Sequence, residues 1–142
     1  DTQMDVSTAI RFHPIEIALS MVLKIGLVYA LGADPLSILF FEILLNGSSM
    51  FNHANIKIPT RIDKVLRLFI VTPDMHRIHH SSDRNEHDTN FGFALSVWDR
   101  FFRTYKDYPQ TKLEDMELGL NWQDEKPEKL GWSLALPFRK NE

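Results

Sequence analysis

The sequence contains no cysteine. Disulfides, a thiolate nucleophile and any thiolate-held zinc or iron–sulfur centre are therefore excluded, and a metal bound here must be held by nitrogen and oxygen. Excess positive charge is absent too. The formal net charge is −3 and the isoelectric point near 6.1, which leaves no footprint for nucleic acid. No basic start leads through an apolar run to a small-residue cleavage site, so no signal peptide is read. The chain shows no internal repeat and no low-complexity segment. Its first residue is Asp1 rather than Met, as expected of a chain trimmed, processed or cut from something longer.

What is present fits one domain of 142 residues with a modest core. Residues 1–106 carry eleven acidic and eleven basic side chains, and residues 107–142 carry eight and five. The second stretch reads as an acidic tail, interrupted by Pro109, Pro127 and Pro137, with short elements around "LGL" (118–120) and "GWSLALPF" (131–138). Two apolar blocks dominate the first third. "IEIALSMVLKIGLVYAL" (15–31) follows Pro14, and its polar residues Glu16, Ser20 and Lys24 fall on one stripe. "LSILFFEILLNGSSMF" (36–51) follows after the tight connector "GADP". Each is about 25 Å long as a helix, just short of a hydrocarbon core of about 30 Å. A membrane hairpin is expected, against the alternative of a buried hairpin in a soluble bundle.

"IPTRIDKVLRLFIVTP" (58–73) sets Ile62, Val65, Leu66 and Phe69 against Arg61, Lys64 and Arg67. That pattern predicts a basic amphipathic helix lying on anionic lipid. Lys57 and Arg11 make both flanks of the hairpin basic, which places them on the cytoplasmic side. The fold class expected is all-α: a membrane helical hairpin, an interfacial amphipathic helix, a histidine-bearing cytosolic helical cap and an irregular tail.

The run "MHRIHHSSD" (75–83) puts three histidines in five positions. Thr72, Pro73 and Asp74 make a helix start, with a hydroxyl cap, proline in the first turn and a carboxylate near the positive dipole end. On that helix His76, His79 and His80 fall within an arc of about 100°. Three imidazoles on one face repel when protonated, which favours something binding their neutral nitrogens. On the second apolar helix Glu42, Asn46, Ser49 and His53 share one face, so the stripe ends on a fourth histidine. His13 precedes the first apolar helix, and an antiparallel hairpin brings it to the same rim. A ligand-free surface cluster is the alternative. A nucleophilic triad through Ser81 or Ser82 lacks the strained Gly-x-Ser-x-Gly turn, and a zincin would need His-Glu-x-x-His. An all-imidazole site suits iron, zinc, copper or nickel.

The run "PDMHRIHHSSDRNEHDTNFGFALSVWDRFFRTY" closely resembles the third histidine box and following segment of the fatty acid hydroxylase/sterol desaturase superfamily. "FNHANIKIP" resembles its isolated-histidine motif, and "DTQMDVSTAIRFHPIE" the stretch just after its second box. The resemblance covers residues 1–106, read as the C-terminal part of such a domain, with 107–142 as the tail. It implies an integral membrane enzyme whose histidine-held di-iron centre faces the cytoplasm, with zinc able to substitute. Such enzymes use O2 to hydroxylate or desaturate a fatty acyl, sterol or similar lipid. Their electrons come from an external ferredoxin, rubredoxin or cytochrome b5-like donor.

Carried over by position, His76, His79 and His80 match the third-box ligands and His53 the intervening ligand. His13 stands as a further ligand or a residue behind the ligands, and His87 falls in a variable, exposed spacer. Asp88 and Asn90 match "D-x-N-F/Y-G" and are expected to orient imidazoles; Asp99 and Arg100 do likewise or pair with each other. Arg103 replaces the glycine usual in "FGTY". The first two boxes have no counterpart, so the chain is expected to be part of such an enzyme and inactive alone. The alternatives are a non-catalytic membrane metal-binding module, or a homo-oligomer sharing a metal site between chains.

Overall fold

A computed structural model describes residues 4–10, 12–119, 129–135 and 138. Arg11, Leu120, Pro127 and Pro137, named above, lie outside them. After a 3-10 turn at Val6–Ile10, α1 (Pro14–Leu31) and α2 (Pro35–Asn52) form an antiparallel hairpin. Local chemistry sets its ends. His13 caps α1 by accepting the Ile15 N–H on its ring, and Pro14 follows in the first turn. Gly32 closes α1 at φ 63°, a left-handed conformation that costs glycine little. Asp34 then caps α2 by accepting the N–H groups of Leu36 and Ser37.

The hairpin wears its apolar side chains outward. Leu19, Val22, Leu23 and Leu27 on α1, and Leu36, Phe40, Ile43 and Leu44 on α2, are all exposed. Helix α1 has a mean hydropathy of 1.7 with none of that span buried, and among the described residues it alone is long and apolar enough to cross a membrane. Between the helices, Lys24 Nζ lies 2.7 Å from a Glu42 carboxylate oxygen, and Asn46 donates to the other oxygen.

Beyond α2 the chain builds a small cap from α3 (Thr60–Leu66), α4 (Pro73–His79), α5 (Arg84–His87) and α6 (Val97–Phe102), with α7 (Leu130–Ala135) further on. No strand forms among the described residues; two isolated bridges join Ile70 to Leu95 and Ser81 to Leu118. The all-α expectation holds.

One expectation fails in detail. The helix expected over 58–73 ends at Leu66, because Val71 donates to the Ala94 carbonyl and Phe69 accepts from Ser96 N–H, an extended pairing that the helix would forbid. Thr72 then starts a new helix by accepting the Met75 N–H. Arg67, expected on the basic face opposite the apolar one, is 5 % exposed. Its guanidinium meets Asp63 at 2.6 Å and donates to the Asp107 carbonyl. Its own carbonyl accepts from Ser96 Oγ and Arg100. Meanwhile Ile62, Val65, Leu68 and Phe69 are exposed. Helix α3 thus buries Asp63 against its C-cap Arg67, while Ile62 and Val65 stand exposed alongside Arg61 and Lys64.

The cap's apolar core is small: Val71, Met75 and Ile78. Buried polar ties do the rest. Asn90 donates to the Met75 and Lys106 carbonyls and accepts the Lys106 N–H. Asp99 accepts from Gly92 N–H and Thr104 Oγ1. A side chain at Gly92 would meet that carboxylate at 2.5 Å, so the loop closes only over glycine. Arg103 sits at φ 61°, the conformation that the glycine of "FGTY" would adopt without strain.

Two stability changes follow. Arg67→Met strands the Asp63 carboxylate in the cap and lowers unfolding free energy by about 3–5 kcal/mol, whereas Lys64→Met, on the exposed side of the same helix, changes it little. Arg103→Gly relieves the left-handed strain and raises it by about 1 kcal/mol. Denaturant unfolding in detergent measures both; a neutral Arg67→Met would remove the ion pair from the account.

Candidate metal centre

Three imidazoles meet where α2 ends and α4 begins. Helix α2 stops at Asn52, whose side-chain amide donates to the Phe93 carbonyl at 2.6 Å and ties the helix end to the cap. His53 is the C-cap. Its Nδ1 lies 2.7 Å from the Ser49 carbonyl, a contact only an N–H can make, so Nε2 carries the lone pair. Helix α4 supplies His76 and His80 one turn apart. The Nε2 atoms of His53 and His76 are 3.3 Å apart, those of His53 and His80 3.2 Å, and those of His76 and His80 3.2 Å. The three rings are splayed edge-on, at 68° to 77° between planes.

This near-equilateral triangle fits a metal ion. Its centre is about 1.9 Å from each corner, close to the usual metal–imidazole bond length of about 2.0–2.1 Å, so the three nitrogens could bond one ion together. The electrostatics agree. Burial first, then the neighbouring imidazoles, hold His76 down at about 2 and His80 down at about 3, so both are neutral at ordinary pH. Three facing nitrogens cannot all carry protons, and a cation is the species that satisfies three lone pairs at once. His76 Nδ1 is buried and has no hydrogen-bond partner among the described residues.

His79 stands beside the triangle, not in it. Its ring lies 5.5 Å from those of His76 and His80 and packs edge-on against Phe91. Its Nδ1 donates to the Thr89 carbonyl at 2.9 Å, which leaves Nε2 as an acceptor. Thr89 is held by its hydroxyl on the Glu86 carbonyl. Glu86 is itself buried and accepts from Ser81 Oγ and the Gln110 N–H. Neither Glu86 nor the carbonyls of Ser49 and Thr89 figure among the residues read from sequence. The signal for Ser49 was its place four residues before His53 on the polar stripe; a carbonyl acceptor leaves no other mark.

The remaining expected residues lie elsewhere. His13 is committed to capping α1, with Nε2 3.3 Å from the Leu134 carbonyl, and the triangle forms without it. Asp88 is exposed against Arg84 and His87 and touches none of the four clustered imidazoles. His87, expected exposed, is half-buried. Asn90 and Asp99 act on backbone, as described, and orient no ring. Arg100 stacks on Tyr105, 4.0 Å from the ring centre, and donates to Arg67 instead of pairing with Asp99.

Comparison with known proteins finds both a family and individual relatives. A family model described as fatty acid hydroxylase matches residues 1–104. An ornithine lipid hydroxylase, OlsE of Rhizobium tropici, is 30% identical over 106 residues, which is 75% of this chain and 31% of that protein. The chain thus spans about a third of the length of this curated relative. No solved structure matches.

The neutral imidazoles make stability depend on pH. In the unfolded chain a histidine titrates near 6.5, whereas His76 and His80 in the fold resist protons down to about 3 or below. Below 6.5 the unfolded state binds more protons, so stability falls with pH, by up to about 1.4 kcal/mol per histidine per pH unit. Thermal unfolding of the metal-free chain is expected to shift downward between about pH 7 and pH 4, and less steeply in His76→Phe. An unchanged midpoint would contradict the buried neutral pair.

Proposed function

The chain belongs to the fatty acid hydroxylase family, and from that footing we propose that it carries part of the metal centre of a membrane-bound, O2-dependent lipid hydroxylase. The single observation that carries the reading is the Nε2 triangle of His53, His76 and His80, with edges of 3.2 to 3.3 Å. These three residues would hold one iron through Nε2, and His79 would offer its Nε2 to a second. When bound, iron supplies the activation of O2 that attack on an unactivated C–H bond requires. One oxygen atom enters the C–H bond. The other would leave as water, with two protons from solvent and two electrons delivered one at a time by an external carrier of the ferredoxin, rubredoxin or cytochrome b5 kind.

The chain's own residues set geometry. Ser49 and Thr89 fix the tautomers of His53 and His79 through their carbonyls. Met75 and Ile78, with no exposed surface, seal the inner side of α4 against water. The outward apolar surface of the hairpin supports membrane insertion. The exposed Ile62, Val65, Leu68 and Phe69 near α3, and Val97, Trp98 and Phe101 on α6, support an interfacial cap. The basic flanks then favour the cytoplasmic face. The name of the Rhizobium relative points to an acylated amino-acid lipid as one substrate of this class.

Cobalt(II) titration of the detergent-purified chain tests the reading. The chain is expected to bind the ion with a visible ligand-field spectrum. His76→Ala or His80→Ala should weaken binding by at least about tenfold, and His13→Ala should leave it unchanged. A chain that takes up no cobalt, or one equally impaired by His13→Ala, would refute the assignment. In a longer protein that supplies the remaining ligands, formation of a lipid product carrying one added oxygen, lost in His53→Ala, is the corresponding activity readout.

A further inference from the structure

Behind the histidine helix lies a half-open cavity of about 500 Å³, lined by Asn55, Lys57, Asp74, Arg77, Lys112 and Glu114 among others. It is separate from the imidazole triangle: none of the four clustered histidines lines it. Residues 74 and 77 share one face of α4, three positions apart and about 4.5 Å along the axis. Opposite charges so placed usually pair. Here they do not. Asp74 has no hydrogen bond or ion pair among the described residues, although it is half-buried. Arg77 makes one hydrogen bond, to the Asn55 side-chain oxygen at 3.2 Å, and keeps its other donors. Lys57 and Glu114 satisfy each other at 2.7 Å on the exposed rim. Lys112 stands exposed on the same lining with no partner among the described residues.

The cavity therefore offers one carboxylate and two cations, and the Asn55 contact of Arg77 is the one hydrogen bond these three side chains make among the described residues. A single anion would be opposed by Asp74, and a single cation by Arg77. A small group bearing both charges satisfies both. Its depth agrees. Ile58 and Thr60, which lead into α3, form part of the wall. Ile62, Val65 and Phe69, on α3 and just beyond it, are the exposed apolar side chains that would rest on a bilayer. A cavity at the shoulder of an interfacial helix lies among headgroups.

We propose that this cavity binds the zwitterionic headgroup of a membrane lipid, with the ammonium against Asp74 and the anionic group on Arg77 and Lys112. The depth assignment rests on the membrane reading above; the charge geometry stands without it. Since Arg77 and His76 are neighbours on one helix, the bound headgroup sits about one helix diameter, roughly 10 Å, from the triangle.

The test is binding of dihexanoyl phosphatidylethanolamine to the detergent-purified chain, compared with dihexanoyl phosphatidylglycerol, which lacks the ammonium, and with phosphoethanolamine, which lacks the acyl chains. Saturable binding is expected for the first, and binding at least about fivefold weaker for the other two. Asp74→Asn should weaken the ethanolamine lipid about tenfold while sparing the glycerol lipid, and Arg77→Gln should weaken both. Equal affinity for the two lipids, an unaffected Asp74→Asn, or equal affinity for phosphoethanolamine would each overturn the proposal. Cobalt binding in the same samples reports that the variants are folded. If Asp74→Asn fails that check, Lys112→Gln, at an exposed position, takes its place and must weaken both lipids, or the proposal falls. A chain that binds the headgroup but no cobalt would keep this site and lose the metal reading.

Discussion

The Arg67 guanidinium, buried against Asp63 at 2.6 Å, is the contact on which the cap is organised. The side chain reaches Asp107, and the backbone carbonyl of the same residue receives Ser96 and Arg100. One residue thus joins α3, the approach to α6 and the chain beyond it. Two charges in so dry a place repay their desolvation only when their geometry is good and their remaining polar atoms are met. Asp107 and its carbonyl meet part of that need. The consequence is a cap whose shape is set by directional contacts more than by apolar volume, since Val71, Met75 and Ile78 are a small core.

That kind of construction suits a metal site. Apolar packing tolerates small slips; a hydrogen-bonded network has far fewer acceptable arrangements. The imidazoles are the clearest case. His53 is turned by the Ser49 carbonyl, His79 by the Thr89 carbonyl, and α4 is pinned from below where Asn90 holds the Met75 carbonyl. The first two ties each fix a ring through the nitrogen that faces away from the cluster. The Nε2 atoms are left converging at 3.2 to 3.3 Å, where burial first and then the neighbouring imidazoles keep His76 and His80 neutral.

Much of this was legible in the residues. Pro14, Gly32 and Asp34 mark the helix ends, Thr72 announces α4, and the stripe Glu42, Asn46, Ser49 leads to His53. The triad was read as one face, and there the helix geometry is more discriminating. At 100° per residue, His79 and His80 flank His76 on opposite sides, about 60° one way and about 40° the other. A single partner at His53 can therefore gather His76 with one neighbour, and it gathers His80. Arg67 was misplaced for a related reason. Periodicity puts Arg61, Lys64 and Arg67 on one basic stripe; the first two are exposed, and spacing alone does not say that Asp63, four residues before Arg67, draws that one charge inward. Asn90 and Asp99 were found but given the wrong task, since nothing in a side chain's identity says whether it will hold a ring or a backbone amide.

The core of the hairpin follows one rule under the membrane placement proposed above. Hydrocarbon cannot solvate charge, so each charged group must turn inward and meet another. Lys24 does so with Glu42 at 2.7 Å, and Asn46 completes the carboxylate. The face of α2 that carries Glu42 and Asn46 continues through Ser49 to His53, about 16 Å further along the helix. The face that must be hidden from lipid is thus the face that delivers a metal ligand. One constraint, keeping polar groups off the hydrocarbon, both orients the hairpin and aims its last residue at the site.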